Sequence, residues 1–138
     1  MGTRSTIAIQ NANGTFTGIY CHWDGYVSHN GKILAENYTT EAKVRELIAL
    51  GDLSSLGEAI GNQVAFDSPL EERKGQCVAY ARDRGETDVA ATTFDSHADL
   101  VEQIGQGFDY LYVPGKGWSV ARGKNAAVPL EKISVGLA

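Results

Sequence analysis

The stretch Ser5-Thr6-Ile7-Ala8-Ile9-Gln10-Asn11-Ala12-Asn13-Gly14-Thr15-Phe16-Thr17-Gly18-Ile19-Tyr20-Cys21-His22-Trp23 decides how the rest of the chain is read. Thr6 to Ile9 alternate weakly, Asn11-Ala12-Asn13-Gly14 is a strong turn signal, and Thr15 to Trp23 is rich in strand formers. The spacing predicts a β-hairpin over residues 5–23, turning at Asn13-Gly14. A second hairpin follows near the other end, where Phe108 to Val113 and Trp118 to Ala121 flank Pro114-Gly115-Lys116-Gly117.

The segments between the hairpins read mostly as helix. Ile33, Leu34 and Tyr38 predict a short helix ending near Asn37. Thr40 is placed as an N-cap, with Glu41 in the first turn, where the helix dipole favours an anion. Val44, Leu47, Ile48 and Leu50 form its apolar stripe and Gly51 stops it. Asp52 is expected to cap one further turn, Leu53 to Leu56, closed by Gly57. Residues 57–75 read as irregular, and Cys77 to Arg82 as a strand. Ser96 with Asp99 resembles a capping box for a helix that buries Leu100, Val101 and Ile104 and ends at Gly105. The order ββαα-β-α-ββ predicts an α+β class: an antiparallel β-sheet built from hairpins with two or three helices packed on it, as a single domain over residues 1–138.

The chain has 138 residues, 12 Lys plus Arg and 17 Asp plus Glu, for a net charge of −5. That balance argues against general nucleic-acid binding, which calls for a basic stripe. No apolar run approaches the roughly 18 to 20 residues of a membrane span, and Thr3 to Thr6 interrupt any secretory core after Met1. Two cysteines make no disulfide framework and suggest a reducing cytosol. Sixteen glycines fit a fold with many tight turns.

Reactive side chains are densest in Tyr20-Cys21-His22-Trp23-Asp24-Gly25-Tyr26, with His29 just beyond. A Cys beside a His suggests a thiolate–imidazole pair, which needs hydrogen-bond reach between base and sulfur. Strand alternation opposes it, placing Ile19, Cys21 and Trp23 on one face as core and Tyr20, His22 and Asp24 on the other. His22 and Asp24 then share a face, where they can orient each other, bind a polar ligand or pair on the surface. His22, Asp24, His29 and His97 are ligand types for a metal, but no spacing matches a zinc or iron signature, so no metal or cofactor is expected.

A second cluster is Tyr80-Ala81-Arg82-Asp83-Arg84-Gly85-Glu86. Read as a strand, it sets Tyr80 and Arg82 on one face. If that strand pairs with the first cluster, Tyr20, His22, Asp24, Tyr26, Tyr80, Arg82 and Arg84 offer aromatic rings and guanidinium forks to a planar anion. The plainer alternative is a strand end whose charges are solvated or paired with Asp83 and Glu86. Other matches explain little. Met1-Gly2 with Thr6 fits a myristoylation pattern, Asn13-Gly14-Thr15 and Asn37-Tyr38-Thr39 fit glycosylation sequons, and Glu71-Glu72 point apart. Gly115-Lys116-Gly117 lacks the spacer of a P-loop, and there is no Gly-x-Ser-x-Gly elbow.

Thr3-Arg4-Ser5-Thr6-Ile7-Ala8-Ile9, Tyr20-Cys21-His22-Trp23-Asp24-Gly25-Tyr26, Gly51-Asp52-Leu53-Ser54-Ser55-Leu56-Gly57 and Arg82-Asp83-Arg84-Gly85-Glu86-Thr87 together resemble a family of small uncharacterised proteins of tailed bacteriophages and prophages. The chain departs from that pattern at Val27-Ser28, in place of a Pro-acidic pair, and at Ala81, in place of Gly. The resemblance implies a viral accessory protein in the cytoplasm of a bacterial host, and it brings no activity with it. The expectation drawn from both lines is a non-catalytic counter-defence module. It would sequester a nucleotide-derived immune signal, a nucleotide-like small molecule, in pockets between the subunits of a homo-oligomer. An inhibitor of a host defence enzyme, and a small hydrolase using His22 and Asp24, are the alternatives.

Overall fold

The computed structural model describes residues 3–61, 75–121 and the backbone of 128–129. Met1-Gly2, Glu71-Glu72 and most of the stretch expected to be irregular, residues 57–75, lie outside the described residues.

Strands β1 (Ser5–Gln10) and β2 (Phe16–Cys21) form the expected hairpin, in antiparallel register from Ser5 opposite Cys21 to Gln10 opposite Phe16. Its turn is closed by Gly14 N–H donating to Asn11 O at 2.9 Å and Asn11 N–H donating to Thr15 O at 2.7 Å. After β2 a π-helical turn, Val27–Gly31, runs straight into α1 (Lys32–Asn37). α2 (Glu41–Ile48) follows, and Thr40 caps it as expected, its Oγ1 accepting from Lys43 N–H at 3.2 Å.

Leu53 to Leu56 do not make a helical turn. Leu53–Ser55 is strand β3, parallel to β2 with Leu53 opposite Cys21, and Leu53 is fully buried. Asp52 caps nothing there, because its Oδ1 accepts from Tyr20 N–H at 2.9 Å. A run of three residues carries no periodicity, so the pairing demand of β2's open edge decided it. The expected strand Cys77–Arg82 is likewise cut short. β4 is Val78–Ala79 and pairs antiparallel with β3, after which α3 (Tyr80–Arg84) begins. Asp83 draws the chain into that helix, its Oδ2 accepting from Ala79 N–H at 2.8 Å.

Strand β5 (Thr92–Phe94), which composition did not announce, pairs antiparallel with the first half of β2. α4 (His97–Ile104) starts at Ser96, whose Oγ accepts from Asp99 N–H at 3.1 Å. β6 (Asp109–Val113) and β7 (Gly117–Ala121) form the second expected hairpin, and β8 (Val128–Pro129) extends it. Among the described residues the sheet has eight strands, in the order β4-β3-β2-β1-β6-β7-β8 with β5 also on β2. The class is α+β and most pairings are antiparallel. The two parallel ones, β1 with β6 and β2 with β3, are bridged by helix-bearing connections, as parallel neighbours require.

Helices lie on both sides. On one, Ile7, Ile9, Ile19, Tyr110 and Val120 pack against Leu34, Tyr38, Val44 and Leu47. Burying each such aliphatic side chain stabilises the fold by about 1.5–3 kcal/mol. On the other, Leu100 of α4 sits over Ala8 and Leu111, flanked by Phe16, Phe94, Val101 and Ile104. Gly18 makes that contact possible, since a Cβ there would stand 2.8 Å from Leu100 Cδ1.

Candidate functional site

The end of the hairpin opposite its turn carries most of the expected residues. Tyr20 Oη lies 2.6 Å from His22 Nδ1. The Trp23 indole meets the His22 ring edge-on, with centroids 4.6 Å apart and planes at 88°. Burial is the main influence on the Tyr20 phenol and pushes its pKa up. The charge of the nearby Arg4 guanidinium opposes that rise, and Tyr80 adds to it. Arg4, Tyr20, His22, Trp23 and Tyr80 therefore share one neighbourhood.

Strand alternation does not extend to Trp23 and Asp24, because β2 ends at Cys21. Trp23 is 42% exposed instead of joining the core, and Asp24 takes a left-handed backbone with φ of 57°. Asp24 is thereby separated from His22 and accepts from the Tyr26 hydroxyl at 3.2 Å, with His29 Nε2 at 4.0 Å. The Asp24 carboxylate pushes the Tyr26 phenol pKa up. The expected His22–Asp24 pair, on which a hydrolase reading rests, is not assembled. Cys21 is buried, and that burial pushes its thiol up to about 12, the opposite of an activated nucleophile.

The loop from His22 to Asn30 is held from inside. Asn30, fully buried, donates through Nδ2 to Trp23 O at 3.1 Å, and its Oδ1 lies 3.1 Å from His29 Nδ1. Tyr110 Oη donates to Gly25 O at 2.6 Å. Gly25 is required where it stands, since a Cβ would lie 2.8 Å from the Arg4 carbonyl oxygen.

Arg82 and Arg84 are placed differently from the strand reading. Arg82 Nη1 donates to Ile60 O at 2.9 Å and Gly61 O at 3.2 Å, Nη2 to Cys77 O at 2.8 Å, and Nε to Asp83 Oδ1 at 3.1 Å. A guanidinium so engaged braces the chain and leaves little to offer a ligand. Arg84 pairs on the surface with Glu86 at 3.2 Å. Arg4, missed by the sequence reading, supplies the cation beside Tyr20. The hairpin register held the clue, because continuing Ser5 opposite Cys21 by one step sets Arg4 opposite His22.

Among the described residues no three His, Cys, Asp or Glu side chains converge as a metal would require. His97 stands apart, at the start of α4 with its ring 5.7 Å from Phe16 and its Nε2 buried without a partner. Burial lowers its pKa from the ordinary 6.5, with Asp109 partly opposing. A histidine with a depressed folded-state pKa binds fewer protons folded than unfolded. Its stabilising contribution is therefore complete above pH 6.5 and is lost as pH falls through the lower folded value. His97→Gln is expected to flatten the loss of stability between neutral pH and about pH 5. Urea midpoints at several pH values check this, and an unchanged slope would refute it.

A groove of about 320 Å³, lined by Gln10, Asn11, Ala12, Gly14, Glu41 and Pro114, lies at the turn end of the hairpin and contains none of the expected site residues. Among the described residues no helix is long and apolar enough to cross a membrane. Comparison with known proteins finds no family model, curated protein or solved structure that matches the chain.

Proposed function

We propose that the chain is a phage-encoded, non-catalytic counter-defence module in the bacterial cytoplasm that sequesters a nucleotide-derived signal on the face built by Arg4, Tyr20, His22, Trp23 and Tyr80. The observation that carries the reading is the meeting of a guanidinium, an imidazole, an exposed indole and half-buried phenol rings at one sheet end. Aromatic faces take a nucleobase, and Arg and His take phosphate oxygens. The absence of an assembled His22–Asp24 pair and the raised Cys21 pKa favour binding over turnover. Trp23 is exposed and Tyr20, His22 and Tyr80 are half-buried, so tight capture calls for a second copy to close over the ligand, in keeping with a homo-oligomer. Calorimetry of the purified chain against cyclic and ADP-ribose-type nucleotides is expected to give saturable heat. His22→Ala and Arg4→Ala should each abolish it while the melting temperature holds. No heat at micromolar protein would sink the reading.

Trp23 favours a second reading, inhibition of a host defence enzyme. It is the one large hydrophobic side chain exposed among the described residues, and tryptophans of this kind anchor protein interfaces. Capture of one host protein from lysate, lost in Trp23→Ala, would support it. A chain that elutes alone at low salt would count against it.

A further inference from the structure

Asn30 settles which nitrogen of His29 carries the proton. Its amide is oriented by Trp23 O, a backbone carbonyl that can only accept, so the side-chain atom 3.1 Å from that oxygen is the nitrogen. Asn30 is fully buried, and turning its amide over would set oxygen against oxygen. The amide oxygen therefore faces His29 Nδ1, at 3.1 Å, and has no hydrogen to give. His29 Nδ1 is the donor, and the neutral ring keeps its lone pair on Nε2. Two backbone bonds fold the loop around this ring: Asn30 N–H donates to Asp24 O at 3.2 Å and His29 N–H to Tyr26 O at 3.0 Å. They bring His29 Nε2 to 4.0 Å from Asp24 Oδ2, with the two side chains 42% and 46% exposed. The other Asp24 oxygen accepts from the Tyr26 hydroxyl at 3.2 Å. Two acceptors, one of them anionic, thus stand side by side, and none of the described residues donates to either.

We propose that Asp24 Oδ2 and His29 Nε2 form a binding site for the primary ammonium group of a small amine, which gives one N–H to each. A nitrogen roughly 2.9 Å from both acceptors sees them about 90° apart, so two ammonium N–H bonds, ~109° apart, bend by only about 10° each. Asp24 supplies the countercharge. The same pair excludes oxyanions, since a phosphate oxygen would meet a carboxylate and a lone pair. The net charge of −5 draws small cations toward the chain. The inference is independent of the nucleotide reading, because it uses none of the side chains of Arg4, Tyr20, His22, Trp23 or Tyr80. Asn30 is a positioning residue here, acting through the imidazole.

The first test is spectroscopic. Long-range proton–nitrogen correlation on the 15N-labelled full chain, above the pH at which His29 titrates, is expected to show Nδ1 protonated and Nε2 bare. An Nε2–H pattern, or a tautomer average, overturns the proposal. The second test titrates the same sample with butylammonium and with tetramethylammonium, which has the charge but no N–H, at about pH 8, where an alkylamine stays charged. Butylammonium is expected to move the His29 Nε2 resonance and to bind about fivefold tighter, the margin that one net hydrogen bond gives. Asp24→Asn should erase that preference. Asparagine tolerates the left-handed backbone at this position, φ 57°, and can still accept from Tyr26, so the variant is expected to fold.

Equal binding of the two cations, or a still Nε2 resonance, would show that charge alone acts and overturns the site. A preference that survives in Asp24→Asn overturns the role of the carboxylate. Nα-acetyl-lysine amide binding more tightly than butane-1,4-diamine would move the site to a lysine of a partner protein and overturn the assignment to a small amine. None of these results bears on nucleotide binding, which is read by calorimetry at the other face.

Discussion

Asp83→Ala is expected to lower the free energy of unfolding by about 3 kcal/mol, the lower end of the range for breaking a buried ion pair. The Asp83 side chain is fully buried, while that of Arg82 retains 18% exposure, and this places the expectation at the lower end. Asp83 holds three groups at once. Its Oδ2 accepts from Ala79 N–H at 2.8 Å and Arg82 Nη2 at 3.2 Å, and its Oδ1 accepts from Arg82 Nε at 3.1 Å. Removing it leaves a buried backbone N–H unpaired and a guanidinium without its counter-charge. Asp83→Asn keeps one acceptor oxygen and should fall between the two.

Arg82→Ala carries the functional consequence. An arginine that clamps a ligand can be removed at little cost to stability and with loss of binding. The contacts to Ile60, Gly61 and Cys77 instead predict a fallen urea midpoint, with ligand affinity preserved in the folded fraction. Chemical denaturation beside calorimetry distinguishes these. An Asp83→Ala chain within about 0.5 kcal/mol of the parent, the usual range for surface changes, would refute the bracing role.

Why the sequence placed Arg82 wrongly is instructive in physical terms. Cys77 to Ala79 is apolar and suits a strand, and nothing in the next residues forbids continuation by propensity alone. The change to helix at Tyr80 comes from Asp83 reaching back to Ala79 N–H, a contact four residues apart that alternation does not register. The two hairpins and the caps at Thr40 and Ser96 were legible because each rests on local chemistry: turn residues, a hydroxyl at the N-cap and a periodic apolar stripe. β3 and β5 were not, because three-residue strands exist only where a neighbouring edge needs a partner.

The site divides along the same line. Tyr20 and His22 could be paired from strand period. Trp23 and Asp24 could not, since the strand stops at Cys21 and the loop beyond is shaped by Asn30, Tyr110 and the close approach of Gly25 to Arg4.

Asn30→Leu is the second large effect, with an expected loss of about 3 kcal/mol, since each buried polar group left unpaired costs about 1–3 kcal/mol. The substitution keeps a similar volume and removes the amide. Trp23 O loses its 3.1 Å donor, Ser5 Oγ its 3.4 Å contact, and His29 Nδ1 the oxygen 3.1 Å away. For a domain of this size the melting temperature should fall by roughly 10 °C. Asn30→Asp separates the lost donor from altered packing. A carboxylate has nearly the shape of the amide but cannot donate to Trp23 O and brings a buried charge, so it should be at least as damaging at neutral pH. Its deficit should shrink as pH falls, because protonation restores a donor and removes the charge, raising the folded-state pKa above the unfolded one. The two variants also test what the loop does for the site. Trp23 and His29 depend on Asn30 for their placement, whereas Tyr20 is set by strand pairing. At a temperature where both proteins remain folded, Asn30→Leu should weaken a ligand that stacks on Trp23 and leave the Tyr20–His22 hydrogen bond intact. Unchanged Trp23 fluorescence and unchanged stability in Asn30→Leu would show that the amide is not what holds the loop.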